Sequence, residues 1–463
     1  MEWVSALDKS QNENLLWSQY ADRLCGEYRE NNRIAPENYE RIDVKRGLRN
    51  ADGTGVVAGL TQICNVHGYV IDEGEKAPID GELTYRGISI GDLIDGCTRE
   101  NRFGFEETIY LLLFGCLPTP EELHIFTQII AQYRELPDDF VEDMIIKAPS
   151  PNVMNKLARS VLALYSYDDN PEDNSLENVL RQCVQLIARL PNIMVAAYQV
   201  KRRSYDHKSM YFHIPKESQS IAESILYTLR SDKHFTDEEA KLLDLCLILH
   251  AEHGGGNNST FTTRVLTSSG TDTYSAIAAG IGSLKGPRHG GANLKVMEML
   301  EYIKEGVENW EDEEEVREFL RRILQRKEGD GSGLIYGIGH AVYTKSDPRA
   351  IILKRNAKRL VEGGPFEKEF HLLQLVEKLA PSVFAEVRGS NKPLCANVDL
   401  YSGMVYKTLG IPQDLFTPLF AVSRMPGWCA HRLEEMTTTS RIMRPAYKSI
   451  AAAQKYVPLG DRK

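Results

Sequence analysis

Apolar side chains recur along this chain with the period of an α-helix, and that recurrence restricts it to a mostly α fold. In "EDEEEVREFLRRILQRKE" the residues Val316, Phe319, Leu320, Ile323 and Leu324 fall at i, i+3, i+4, i+7 and i+8, which places them on one face of a helix. The acids lead and the bases trail, as the helix dipole favours. "GFEETIYLLLFGCLPTPEEL" predicts a helix from about Glu106 to near Gly115, and Pro118 and Pro120 open the next. Thr236 caps "TDEEAKLLDLCLILHAEH", which is apolar through Leu249 and therefore reads as a mostly buried helix. "TDTYSAIAAGIGSLKG" is rich in Ala, Gly and Ser and reads as a helix packed closely on a neighbour. Strand-like runs are few and lie near the start: "GVVAGLTQICNVHGYVIDEG" and "GELTYRG" predict a small β element.

Composition narrows the class further. The 463 residues are 42% hydrophobic, enough for a large core and two to four domains. The net charge is −10, with 55 basic against 65 acidic residues. That balance argues against a general nucleic-acid binder and leaves room for a local basic site. No apolar run approaches ~18 residues, so no membrane span or membrane partner is expected. "MEWVSALDKSQNENLLWSQYADRL" has no apolar core of the kind a signal peptide carries. The eight cysteines are scattered and form no CxxC pair, which suits a reduced cytoplasmic chain with buried thiols better than disulfides or zinc. The polar first ~50 residues read as a helical arm. Glycines at 254–256, 289–291 and 329–339 mark candidate hinges.

Four segments combine turn residues with ionisable ones. In "LHAEHGGGNNSTFTTR", His250 and His253 lie one turn apart before three glycines. That spacing could hold zinc, but no further ligand pattern lies nearby. His250 reads as packing the helix end, whereas His253 faces the flexible loop. "SLKGPRHGGAN" brings Lys285 and Arg288 up to His289 at a glycine hinge. "GSGLIYGIGHAVYTKSDPRA" places Gly337 and Gly339 before His340, with Lys345 and Arg349 after it. A Gly-x-Gly pair with basic residues suits an anionic ligand, although the dinucleotide-binding pattern is incomplete. In "NVDLYSGMVYKTLG", Asp399 either caps a helix starting near Tyr401 or serves as a functional acid. Arg349, Arg424 and Arg444 complete the set. A guanidinium can hold a carboxylate through two parallel hydrogen bonds, so three of them suit a small di- or tricarboxylate.

"HAEHGGGN", "LKGPRHGGAN", "GIGHAVYTKSDPRA", "NVDLYSG", "FTPLFAVSRMPGW" and "RPAY" resemble, in order, the signature blocks of citrate synthase. "LTYRGISIGDL" and "FEETIYLLLFGCLPTPEEL" resemble its N-terminal half, and the match runs from about residue 55 to 458. The resemblance implies a two-domain, multi-helical homodimer with a small β element near the N-terminus. Residues 1–54 would be an arm, 55–289 the first part of the large domain and 290–400 a small domain carrying the CoA loop. Residues 401–463 would return to the large domain and reach the partner subunit. The implied reaction condenses acetyl-CoA with oxaloacetate and water to citrate and CoA, an acyl transfer of the tricarboxylic acid cycle that adds to the si face of the ketone. It needs no metal or redox cofactor.

By motif position, the resemblance implies that His289 bonds the thioester oxygen, Asp399 takes the methyl proton and His340 polarises the ketone. His253, Asn257, Arg349 and Arg424 would hold oxaloacetate, with Arg444 entering from the partner. The backbone of Leu334, Ile335, Tyr336, Gly337, Ile338 and Gly339 would receive the adenine of CoA, and Lys345 a phosphate. The chemistry fits these residue types. A thioester methyl is a very weak acid, so a carboxylate can take its proton only while the enolate oxygen is stabilised. Arg288 and Lys285 are expected to help keep His289 neutral. Domain closure would exclude water. Thr344, Leu400 and Pro426 depart from common family patterns. A 2-methylcitrate synthase using propionyl-CoA, an inactive CoA-binding homologue and a zinc hydrolase on His250 and His253 are the alternatives.

Overall fold

The helices expected from periodicity form, and their ends follow capping chemistry. The computed structural model describes residues 2–50, 52–72, 75–390, 393–438 and 441–462. Glu313–Leu324 starts on Asp312, whose side chain accepts from the Glu314 and Glu315 amides, and its whole apolar stripe is buried. Burial of such a side chain contributes on the order of 1.5–3 kcal/mol, an upper figure because the unfolded chain is itself partly collapsed. Phe105–Phe114 ends at Gly115 with φ 83°, a left-handed turn that glycine enters without a Cβ clash. Pro120–Tyr133 and Asp237–His250 each open with a reciprocal capping box, Thr119 with Glu122 and Thr236 with Glu239; such a cap is worth about 1 kcal/mol. Thr273–Leu284 lies close on its neighbours, as its small residues predict. A Cβ on Gly280 would come within 2.6 Å of Thr263 Oγ1 and 3.5 Å of the Trp428 ring.

Three strands form one antiparallel sheet in the order β1 (Cys64–Asp72), β2 (Glu75–Tyr85) and β3 (Ile88–Ser89). The expected β element is present with shifted bounds. Residues 55–63 stay outside it, β2 begins well before Gly81, and Glu73 and Gly74 lie outside the described residues. The register shifts between His67 and Tyr69, where Gly68 alone faces Ile79, Asp80 and Gly81 of β2, so the irregularity bulges β2. A Cβ on Gly68 would sit 2.9 Å from the Val342 carbonyl, and one on Gly81 2.2 Å from the Ser346 carbonyl. The hairpin therefore presses two bare backbone faces onto segment 342–346, just after His340.

The described residues divide into a unit of residues 1–60 and a unit of residues 61–463. The first carries the long helix Glu2–Asn31 and the short Glu37–Arg41. The second is organised around Phe416–Thr438, which is buried almost end to end with Trp428 at 0% exposure. It packs on Leu176–Ser204, Asp237–His250 and Asn258–Thr267, and it runs through Pro426. All eight cysteines are free. None of the described helices is long and apolar enough to cross a membrane.

Candidate active site

His289 leaves the turn that follows Thr273–Leu284. Its own amide and that of Gly290 both donate to the Gly286 carbonyl. Gly290 is required by space: a Cβ there would lie 2.3 Å from the Leu284 carbonyl. The His289 ring is held by Ser259, whose amide donates to Nε2 at 3.3 Å and whose Oγ lies 2.9 Å from it. Trp428 Nε1 donates to the same Oγ at 3.2 Å. A ring whose Nε2 accepts from an amide carries its proton on Nδ1. Burial, and after it the Arg424 cation, pull the His289 pKa down to about 4. Arg288 and Lys285 are exposed and are not what keeps the ring neutral, which corrects the expectation from their adjacency. Asn258, Ser283, Gly286, Pro287 and Arg288 line an open cavity of ≈ 480 Å³ at this histidine.

His340 has the opposite tautomer. The amides of Val342 and Tyr343 donate to Nδ1 at 3.0 and 3.1 Å, so its neutral ring carries the proton on Nε2. It stacks on Tyr343 at 4.6 Å and meets His253 edge-on at 5.1 Å. Tyr343 in turn donates to the Glu82 carbonyl at 3.2 Å, and Ser346 Oγ accepts from the Gly81 amide at 3.1 Å. Those bonds tie segment 340–346 to β2. Gly254, at φ 84°, turns the chain after His253. Burial, then Arg349, hold the His253 pKa well below its ordinary value, and its Nε2 is buried without a hydrogen-bond partner among the described residues. Such a buried, unbonded ring nitrogen is able to take a hydrogen bond from or to a polar group.

Asp399 is the first residue of Asp399–Thr408. The cap position is Val398 and no side-chain cap bond is made there, so the capping alternative is set aside. The carboxylate makes no hydrogen bond among the described residues, whereas its amide donates to Asn397 Oδ1 at 3.0 Å. Burial pushes its pKa up to about 6, Arg349 and Arg424 pull against that, and Asp347 adds to the rise. Asp399 is placed by a short two-stranded contact: Ile338 pairs with Ala396, Gly339 N donates to Cys395 O at 2.7 Å, and Asn397 N to Gly337 O at 2.9 Å. The glycine loop and the aspartate are therefore one assembly.

Two buried guanidiniums complete the pocket. Arg424 donates through Nε to the His250 carbonyl at 2.7 Å, and its terminal nitrogens have no hydrogen-bond partner among the described residues. It lies over Phe420 at 4.9 Å and acts electrostatically on His253, His289 and Asp399 alike. Arg349 is gripped by Asp347 through Nε at 3.1 Å and Nη2 at 2.8 Å, which leaves Nη1. Both side chains of that pair are nearly inaccessible.

Other expected residues sit elsewhere. Asn257 caps Asn258–Thr267, and its amide donates to Gly254 O and to Thr260 Oγ1 while its Oδ1 accepts from the Thr260 amide. Those bonds use both protons of its side-chain amide. Arg444 is exposed and bonds to no residue of this site. Lys345 is exposed as well. In the Leu334–Gly339 loop, Leu334 is 54% exposed and Ile335 buried. Tyr336 donates to Asp330 at 2.7 Å, and Gly337 O, Gly339 N and Gly339 O are already bonded to segment 395–397. His250 is buried, with Nδ1 bonded to Cys246 O at 2.9 Å, the packing role expected of it. Among the described residues no group of three or more His, Cys, Asp and Glu is placed to hold a metal ion. Sequence reading missed Ser259, Asp347 and Tyr343. Only Asp347 carried a local signal, as the Asp of an Asp-Pro helix start.

Comparison with known proteins follows the same lines. The family model described as "Citrate synthase, C-terminal domain" matches residues 50–446. "Citrate synthase 2" of Bacillus subtilis is 38% identical over 391 residues, covering 83% of this chain and 94% of that protein. "2-methylcitrate synthase 1" of Corynebacterium glutamicum is 32% identical over 426 residues, covering 90% of this chain and 98% of that protein. A solved ternary complex of carboxymethyl coenzyme A and oxaloacetate with citrate synthase from Thermoplasma acidophilum aligns with a TM-score of 0.73 and 27% identity. That alignment covers 90% of this chain and 99% of that one.

Proposed function

The chain belongs to the citrate synthase family, and from that premise we propose that it condenses acetyl-CoA with oxaloacetate and water to give citrate and CoA. The observation that carries this reading is the presence of two histidines with opposite, fixed tautomers and of one buried carboxylate of raised pKa, with Arg424 acting on both His289 and Asp399. Asp399 takes a proton from the acyl methyl group. Nδ1–H of His289 donates to the thioester oxygen as negative charge grows on it, and a neutral donor there holds a neutral enol better than it would release a free enolate. The enol carbon attacks the ketone of oxaloacetate while Nε2–H of His340 donates a hydrogen bond to the ketone oxygen, and the proton that Asp399 removed balances the one the new hydroxyl group gains. Water hydrolyses the citryl thioester in the same site and frees CoA.

His253, Arg349 through Nη1 and the terminal nitrogens of Arg424 hold the two carboxylates. We assign the loop Leu334–Tyr336 to the adenine of CoA and Lys345 to a phosphate. We further propose a homodimer in which Arg444 completes the partner's pocket. The exposed, apolar 441–462 segment, with Ile442 61%, Tyr447 95% and Leu459 76% exposed, supports a role in reaching outward. Residues 290–400 are the part we assign to a closing small domain. All the proposed chemistry is carried by side chains, with no metal or redox cofactor, and the free thiols suit the cytoplasm.

Similarity to a 2-methylcitrate synthase favours a second reading, with propionyl-CoA as donor. One methylene in an apolar pocket is worth only ~1–3 kcal/mol, so the two donors differ by rate rather than by mechanism. Release of free CoA thiol with oxaloacetate and a panel of acyl-CoAs separates them. Acetyl-CoA should turn over fastest; a propionyl preference moves the assignment to the second reading, and no thiol release with any donor removes both.

A further inference from the structure

Tyr343 takes no step in the chemistry above, yet three residues of that chemistry meet at its ring. The imidazole of His340 stacks on it at 4.6 Å with 24° between the planes, close to the offset arrangement that two π systems prefer. His253 meets it edge-on at 5.6 Å and 75°. The Arg349 guanidinium lies over the ring at 6.0 Å, at the outer reach of a cation–π contact. His289 belongs to a different group, with its ring against Ser259 and Phe420. Tyr343 therefore gathers the residues read as holding oxaloacetate and leaves the thioester side alone.

The ring is itself firmly placed. It is buried at 1% exposure, and its hydroxyl donates to the Glu82 carbonyl of β2 at 3.2 Å. Two glycines of the hairpin close on its Cδ1: a Cβ on Gly68 would lie 3.1 Å from that atom, and one on Gly81 2.7 Å. Tyr343 holds His340 a second time through the main chain, where its amide donates to Nδ1 at 3.1 Å. The two holds have different effects. The amide bond decides which ring nitrogen carries the proton. It does not set the plane, because the last torsion of a histidine is soft. A stacked ring opposes any change of plane.

We propose that Tyr343 is a positioning residue for the ketone: its ring sets the plane of His340, and with it the line along which Nε2–H meets the ketone oxygen. The same ring braces His253 and Arg349. The proposal rests on the reading that His340 donates to the ketone and that His253 and Arg349 hold the carboxylates. Loss of the ring then acts on oxaloacetate and spares acetyl-CoA. Tyr343→Met fills the space with a flexible apolar chain and keeps the amide bond to Nδ1, but it lets the imidazole tilt. kcat should fall about tenfold or more, since a misplaced catalytic group costs at least that. KM for oxaloacetate should rise about threefold or more while KM for acetyl-CoA stays within about twofold. Tyr343→Phe keeps the ring and loses only the bond to Glu82, so it should recover kcat to within about threefold of wild type.

The test is steady-state release of CoA thiol by the full-length protein and both variants, each substrate varied in turn, with thermal melting measured alongside. A lower kcat and a higher oxaloacetate KM in Tyr343→Met, an unmoved acetyl-CoA KM and recovery in Tyr343→Phe support the proposal. Both KM values rising together overturn it, because a general loosening of the fold spares neither substrate. Wild-type rates in Tyr343→Met overturn it as well, and so does a Tyr343→Phe protein as slow as Tyr343→Met. Where Tyr343→Met fails to fold, Tyr343→Phe decides alone: kcat within about threefold supports the proposal, and a loss of about tenfold overturns it. A wild-type protein that releases no thiol with oxaloacetate present overturns the reading of His340, and this proposal with it.

Discussion

At the scale of single residues, the proposed reaction depends on fixed protons more than on collected charges. His289 is neutral through burial and Arg424, so the expected help from Arg288 and Lys285 is not needed. Its pKa near 4 keeps it neutral throughout the range in which Asp399 titrates. Asp399 must be ionised to act as base, and its folded pKa is about 6. kcat/KM should therefore fall tenfold per unit as pH drops below about 6 and level off above about 7. A rate profile over pH 4.5–9 with no limb near 6 would count against this aspartate as the base. Ser259→Ala removes Oγ from His289 and keeps the amide bond. The loss should be about 1 kcal/mol, roughly fivefold in kcat, with KM for oxaloacetate unchanged. His250, His253, His289, His340, Asp399, Arg349 and Arg424 were all legible as unusual residues in turn-rich contexts. Ser259 was not, because a serine on a helix's first turn is ordinary until the ring it holds is seen.

At the scale of elements, helix bounds were legible wherever capping residues and an apolar stripe agreed, as at Asp312 and Thr236. The purpose of the small β element was hidden. Its glycines at 68 and 81 face segment 342–346 across hundreds of residues, and no local pattern reports such a distant contact. The glycine loop was visible but its pairing with 395–397 was not, for the same reason. Gly337, at φ 80°, lies against Leu400: a Cβ there would sit 2.8 Å from Leu400 Cδ1 and 2.9 Å from its Cα. Gly337→Ala should cost about 2–4 kcal/mol from left-handed strain and crowding. Because Leu400 follows Asp399, kcat should fall along with the melting temperature. Calorimetry and steady-state rates check this together; a stable variant with normal kcat would mean that the loop and the aspartate move independently.

At the scale of the whole molecule, the proposed homodimer joins two copies of the chain, and Arg444 is the residue that makes this proposal testable. Mixing His289→Ala and Arg444→Ala proteins under conditions that exchange subunits should restore activity that neither has alone. The mixed dimer holds one intact site of two, so random exchange should return about a quarter of wild-type activity. No recovery would place Arg444 outside the site. The division at residue 60 was legible only as a polar opening stretch, since composition does not mark where packing stops. The central claim is that Asp399, acting with two neutral histidines, makes the carbon nucleophile. Its most direct test is oxaloacetate-dependent release of CoA thiol from acetyl-CoA by wild type and Asp399→Asn. Rapid release by wild type and a loss of about a thousandfold or more in the variant is the predicted result. Release that persists in Asp399→Asn at a comparable rate would contradict it.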